Sequence, residues 1–172
     1  MKKAIYLILL SVIIISCKTE ISKTSINKTD EKEVITSLLN NWHKAAAKAN
    51  YNNYFGALDS VSIYIGTDVA EVWSKKQFSA FSKPYFNRGK AWAFTAVDRN
   101  VYFNKSGDTA WFDEILNTWM GVCRGSGVLE KTGEDWKIKH YVLSLTVPND
   151  NINDVIKINK EKDSIFLSKY KN

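Results

Sequence analysis

The side chains that could do chemistry are concentrated in one stretch of the sequence, residues 111–150. Its apolar runs and glycine-containing turns are typical of a three-stranded antiparallel meander. Folding the stretch about its two turns brings several polar side chains together on adjacent strands, namely Asp113 or Glu114, Arg124, Ser126 and His140. Because cross-strand neighbours have Cβ atoms about 5 Å apart, we expect these side chains to form one polar cluster.

Such a cluster permits catalysis, binding or a purely structural role. In a proton-transfer enzyme, Asp113 or Glu114 would be the base and His140 the acid. In a binding domain, Arg124 would hold the anionic or carbonyl group of a small, partly apolar ligand. An arginine and a carboxylate within a sheet also form structural ion pairs. The candidate ligand-binding residues beside Arg124 are Ser126 and His140, with Trp73, Trp92 and Phe112 as apolar walls.

Hydrophobic periodicity predicts the elements that position these residues. The predicted order is helix 30–49, helix 51–58, strand 60–65, helix 75–85, strands 91–104, 109–118, 122–130 and 136–147, and a last helix beyond Pro148. Asp68 with Glu71, and Ser74 with Gln77, have the spacing of helix starts, and Pro84 is expected to end the third helix. His43 lies beside the apolar stripe of the first helix, where we expect a solvent-edge residue. This order indicates an α+β fold with helices on one face of a curved sheet.

The last strand carries apolar residues on both faces. Strict alternation places His140 on the face of Trp136, and Tyr141, Leu143 and Leu145 on the opposite face. An apolar patch of that kind is typical of an interface, so these three residues predict a homodimer through the sheet.

The N-terminus has the features of a bacterial lipoprotein leader. Two lysines precede an apolar run at residues 4–15, and Ile14-Ile15-Ser16-Cys17 resembles a lipobox, whose cysteine is acylated. Lys18 and Glu20 resemble the sorting signals of outer-membrane and surface-exported lipoproteins. The predicted organisation is a signal peptide at 1–16, lipidated Cys17 and a tether at 17–29, a domain at 30–150 and a helical appendage at 151–172. The predicted location is the cell envelope, at the outer membrane and facing the periplasm or the surface.

Composition excludes other classes of function. Cleavage would remove Lys2 and Lys3, which lowers the formal charge from +6 to +4, and the remaining lysines are scattered. A scattered charge argues against nucleic-acid binding. The sequence has no Gly-rich phosphate loop, CxxC or HExxH, so no metal and no cofactor is predicted. With Cys17 acylated, Cys123 has no partner for an intramolecular disulfide.

Five segments carry a resemblance to a known family: GTDVAEVW at 66–73, KPYFNRGKAWAF at 83–94, AWFDE at 110–114, CRGSGVL at 123–129 and WKIKHYVLSLTVPND at 136–150. Over residues 30–150 they resemble the SnoaL-like branch of the nuclear transport factor 2-like superfamily. The resemblance implies a cone, in which a strongly curved antiparallel sheet wraps three helices around a pocket. It implies an isomerase, cyclase or dehydratase, or a non-catalytic binding or assembly domain. Of these, a lipid-anchored binding domain is the first interpretation.

The lipobox yields a direct prediction. Mature protein should begin at Cys17 and carry acyl chains, because several buried methylenes are needed to hold a protein stably on a bilayer. Intact-mass measurement of the membrane fraction checks this, and Cys17→Ser should yield an unprocessed or soluble species. Cleavage at another residue without acyl addition would contradict the prediction.

Overall fold

The structure, a computed structural model, describes residues 28–171. The predicted leader, Cys17 and nearly all of the predicted tether lie outside the described residues. Four α-helices are formed, α1 (Lys28–Ala47), α2 (Tyr51–Gly56), α3 (Lys75–Asn87) and α4 (Ile152–Ser168). Six strands form one sheet, β1 (Leu58–Ile65), β2 (Val72–Ser74), β3 (Thr95–Phe103), β4 (Thr109–Thr118), β5 (Gly121–Thr132) and β6 (Asp135–Leu145).

The strand order is β2-β1-β6-β5-β4-β3. Neighbours pair antiparallel except β1 and β6, which are parallel. The antiparallel meander predicted for β3 to β6 is therefore confirmed, and so is the α+β class, since α1, α2 and α3 pack against the sheet.

Two helix boundaries differ from the predictions for local physical reasons. Asp68 does not begin a helix, because its carboxylate accepts the Ala70 N–H at 2.8 Å in a tight turn, after which β2 forms an edge strand. The predicted start at Ser74 is confirmed, since Ser74 and Gln77 form a reciprocal capping box. The helix α3 passes through Pro84 and ends at Asn87, because the proline lies in its last turn.

Polar contacts between side chains attach α1 to the sheet near its first turn. Glu31 accepts a hydrogen bond from the Trp136 indole N–H at 2.6 Å and pairs with Lys131 at 2.5 Å. These two donors lower the pKa of the Glu31 carboxyl. The first turn of α1 is thereby held against the beginning of β6.

Irregularities in two strands change which side chains face inward. The register shifts between Ala96 and Asp98 in β3, and between Ile138 and His140 in β6. Such a bulge adds one residue to one strand and reverses the alternation beyond it. Tyr141 and Leu143 therefore lie in the core, at 1% and 4% exposure. The prediction that they form an outer dimer face is wrong for this reason.

The glycines of β5 make room for the cone's interior. A Cβ on Gly125 would meet the Tyr141 hydroxyl and Glu114 Oε1, and one on Gly127 would lie 2.5 Å from the His140 carbonyl oxygen. Glycine at these positions lets large side chains from β4 and β6 fill the concave face of the sheet.

The helix α4 follows a 3-10 turn at Asn149–Asn151 and has no buried residue. Its packing within the described chain is chiefly with that turn. Among residues 28–171, no helix combines the length and apolar character needed to cross a bilayer.

Candidate functional site

A buried carboxylate lies at the centre of the cone. Glu114 of β4 is 0% exposed, and each of its two carboxylate oxygens accepts two hydrogen bonds. Oε2 accepts from Arg99 Nη2 at 2.6 Å and Nε at 2.9 Å. Oε1 contacts His43 Nε2 at 2.8 Å and the Tyr141 hydroxyl at 3.1 Å. We call Glu114, Arg99, His43 and Tyr141 the Glu114 network.

The Glu114 network holds an ionised carboxylate. Burial opposes ionisation of Glu114, but hydrogen bonding and charge from His43 and Arg99 outweigh it and lower the pKa of the carboxyl. Because an ionised carboxylate only accepts hydrogen bonds, His43 Nε2 carries a proton and donates it to Oε1. Burial and then the Glu114 charge raise the pKa of the Tyr141 hydroxyl, which stays a donor.

Arg99 also joins the sheet to α1. Its Nη1 donates to the Thr36 carbonyl oxygen at 3.1 Å and to Asn40 Oδ1 at 2.8 Å. Nε and both terminal nitrogens of the guanidinium thus have acceptors, as burial of an arginine requires. Since four acceptor positions are all that a carboxylate offers, Glu114 has no lone pair free for a substrate proton.

The predicted polar cluster is not formed. The pairing places Arg124 opposite Ile115 and Ser144, and Ser126 opposite Asp113 and Val142. The β6 bulge moves His140 opposite Val128, so the predicted pairing of Ser126 with His140 is wrong. Asp113, Arg124, Ser126 and His140 share the outer face of the sheet, whereas Glu114 points inward. Arg124 is exposed and is not neutralised by Glu114.

The three predicted aromatic wall residues belong to the ring cluster that fills the cone. The ring centroid of Phe112 lies 6.1 Å from that of Tyr141, and Trp92 lies 5.5 Å from Tyr54. Trp73 stacks on Phe81 at 4.7 Å, nearer the surface. These rings pack chiefly on one another.

Sequence reasoning missed three members of the Glu114 network. His43 is 5% exposed, so the predicted solvent-edge position is wrong. The signal was present, because His43 lies four residues after Leu39 and three before Ala46, both buried. Strict alternation did not place Arg99 with Glu114, because the β3 bulge turns Arg99 inward. Strict alternation also assigned Tyr141 to the outer face, because it does not account for the β6 bulge.

A surface groove of about 720 Å³ lies on the other side of α1. It is lined by seven residues between positions 34 and 48, in α1 and just after it, by five residues between positions 50 and 57 around α2, and by residues 134–137 where β6 begins. Val34, Leu38, Ala45 and Ala57 contribute apolar surface, and the polar lining includes Lys44, Lys48, Lys137, Glu134, Asp135 and four asparagines. We call this cavity the α1–α2 groove.

The concave sheet around three helices defines the nuclear transport factor 2-like class of fold, and solved structures agree. A protein of this class from Pseudomonas putida KT2440, of unknown function, is 14% identical with a TM-score of 0.59, covering 72% of this chain and 92% of its own. Another, from Cytophaga hutchinsonii, is 16% identical with a TM-score of 0.58, covering 67% and 98%. A protein from Xanthomonas campestris, provisionally named a calcium/calmodulin-dependent protein kinase II association domain, is 20% identical with a TM-score of 0.52, covering 67% and 87%.

Within that class, the chain belongs to the SnoaL-like domain family, which matches residues 35–148. No functionally curated protein matches the sequence significantly. The resemblance of the sequence to this family is therefore confirmed, and the family by itself leaves the function open.

The Glu114 network predicts unequal effects of two arginine replacements. Arg99→Met should destabilise the fold by about 3–5 kcal/mol, because it leaves Glu114 buried without its charge partner. Arg124→Met removes an exposed guanidinium and should leave the melting temperature nearly unchanged. Thermal unfolding of both variants checks this.

Lowering the pH should reduce the difference in stability between the Arg99→Met and Arg124→Met variants. Since the folded-state pKa of Glu114 is lowered, its stabilising contribution is complete above the unfolded-state pKa and disappears as pH falls through the folded-state value. An equal loss of stability in both variants at neutral pH would contradict the assignment of Arg99 as the partner.

Proposed function

We propose that this chain is a lipid-anchored, non-catalytic domain of the bacterial envelope that binds a small, partly apolar ligand in the α1–α2 groove. The anchor is acylated Cys17, followed by the tether. The observation that carries the proposal is the saturation of Glu114, the one buried carboxylate among residues 28–171. A carboxylate with a lowered pKa and filled acceptor positions is poorly suited to accept a substrate proton.

The remaining candidates for proton transfer are also poorly placed. Asp113 and His140 lie on the outer face of β4 and β6, and neither of them lines the α1–α2 groove. A general base needs its proton within hydrogen-bond reach, and catalytic sites are usually concave. Binding is thus better supported than turnover.

The α1–α2 groove has suitable dimensions for a ligand. Its volume of about 720 Å³ falls within the roughly 300–1,000 Å³ typical of small-molecule sites. Val34, 52% exposed, and half-buried Leu38 offer apolar contact. Lys48, the neighbouring asparagine amides, and the carboxylates of Glu134 and Asp135 offer polar contacts. This lining suits a partly apolar molecule that also carries polar groups.

Charge and apolar contact can be tested separately in the groove. Small molecules that copurify with the mature protein would be identified by mass spectrometry and titrated in a thermal-shift assay. Val34→Glu and Lys48→Glu should each weaken binding about tenfold or more, the equivalent of one lost contact of about 1.4 kcal/mol.

Matched controls lie outside the groove. Val61, 68% exposed, and exposed Lys76 are also surface positions, so Val61→Glu and Lys76→Glu should leave binding unchanged. Equal losses in the controls, or no ligand from either the preparation or a compound library, would refute the groove as the binding site.

Self-association through the outer face of the sheet is a second candidate function. Trp111 and Tyr102 are 46% and 45% exposed there and stack with ring centroids 6.0 Å apart. Partly exposed Val128 and Val142 continue this apolar surface across β5 and β6. Exposed aromatic surface beside apolar strands is typical of protein interfaces. The name of the Xanthomonas protein, an association domain, agrees with such a role on this fold.

Crosslinking tests this candidate in native membranes. Ser126→Cys, at the centre of the outer face, should give a covalent dimer with a short bismaleimide, because Ser126 would meet its counterpart near a twofold axis. Glu134→Cys at the β5–β6 turn is the control and should stay monomeric. Trp111→Glu added to Ser126→Cys should abolish the dimer. Equal crosslinking at both positions would indicate random collision.

A further inference from the structure

The helix α4 exposes an unusual amount of apolar surface. Ile156, Ile165 and Leu167 are 58%, 60% and 56% exposed, and no residue of α4 is buried. A lone helix of this length is marginal in water because nucleation is unfavourable. A surface that covers this apolar side would therefore stabilise α4.

The positions of the side chains around the α4 axis indicate which surface. At 3.6 residues per turn, five apolar side chains share one face, namely Ile152, Val155, Ile156, Phe166 and Leu167. Lys160 lies at one edge of that face, and Lys162 and Lys169 lie at the other. Asp154 and Glu161 project from the opposite side. A third acid, Asp163, lies within the face. Lysines that flank an apolar face are typical of a helix lying in the interface of a bilayer.

We infer that α4 lies on an anionic lipid bilayer, with its Ile152–Ile156–Phe166 face in the headgroup and acyl boundary. The inference rests on the proposed lipid anchor, which would place the domain beside a membrane. An acylated Cys17 would keep the whole domain at the membrane, so α4 would meet the bilayer at high effective concentration.

Polar residues within the apolar face favour a bilayer over a protein partner. Asn159 and Asp163 interrupt the face at its middle, and Ile158 and Ile165 lie outside it. A helix from a second copy would have to bury Asp163, which is costly without a cation opposite it. A shallow position in the headgroup region, above the acyl chains, would keep that carboxylate hydrated. From residue 152 to residue 171 the chain carries five lysines and three acids, a net +2 that complements anionic lipids.

An environment-sensitive dye on α4 tests this orientation. Ile156→Cys and Glu161→Cys are each labelled through the new thiol in the full, mature lipoprotein, in which the native Cys123 is buried. The labelled proteins are reconstituted in vesicles of phosphatidylcholine with or without phosphatidylglycerol. We expect dye emission from position 156 to shift to the blue with phosphatidylglycerol and to return toward the aqueous value in high salt. Emission from position 161 should stay aqueous.

Each of the following outcomes would overturn the inference that α4 lies on the bilayer. Aqueous emission from position 156 in an acylated, vesicle-bound protein would show that α4 stays off the bilayer. The lipid anchor would still be supported in that case. A blue shift that is independent of phosphatidylglycerol and grows with protein density would identify a second copy as the partner. Equal shifts at 156 and 161 would exclude the predicted face. An intact mass without acyl chains on Cys17 would overturn the anchor and this inference together.

Discussion

The charge of Glu114 is the constraint on which the rest of the fold depends. A carboxylate with no exposed surface is tolerated only when its acceptor positions are filled, and the donors come from α1, β3 and β6. Each of these elements must therefore reach its final position before the charge is compensated. Because Arg99 also donates to Thr36 and Asn40, the first helix is fixed to the sheet by the same side chain.

Stability alone does not explain such a network. Well-packed apolar residues of similar volume are often as stable as a buried ion pair, since desolvation offsets much of the attraction. A buried charge does, however, make misassembled strand arrangements energetically unfavourable. If β3 or β6 slipped by one residue, Arg99 or Tyr141 would turn to the outer face and Glu114 would lose a donor. The Glu114 network therefore specifies strand register, and the bulges that turn Arg99 and Tyr141 inward are part of the same arrangement.

Periodicity was sufficient to predict the elements but not the faces of the strands. Apolar spacing located α1 within two residues of its start, the Ser74–Gln77 box located α3, and turn residues located the meander. The polar cluster failed because strict alternation assigns His140 to the face of Trp136, whereas a bulge at Lys139 separates them. Two-residue periodicity cannot reveal a bulge, because one extra residue reverses the alternation beyond it. His43 shows the opposite error, since a histidine in register with buried residues was assigned to solvent.

The packing of the interior around Glu114 limits where the fold could accommodate a ligand without being disturbed. In the described part of the chain, aromatic rings and the Arg99–Glu114 ion pair occupy the concave face of the sheet. Separating Arg99 from Glu114 would cost several kcal/mol. Binding surfaces outside the Glu114 network carry no such cost, because their side chains are already hydrated. The groove, the outer face and α4 can therefore vary without disturbing the core, whereas a change at Arg99 alters the fold before it alters any site.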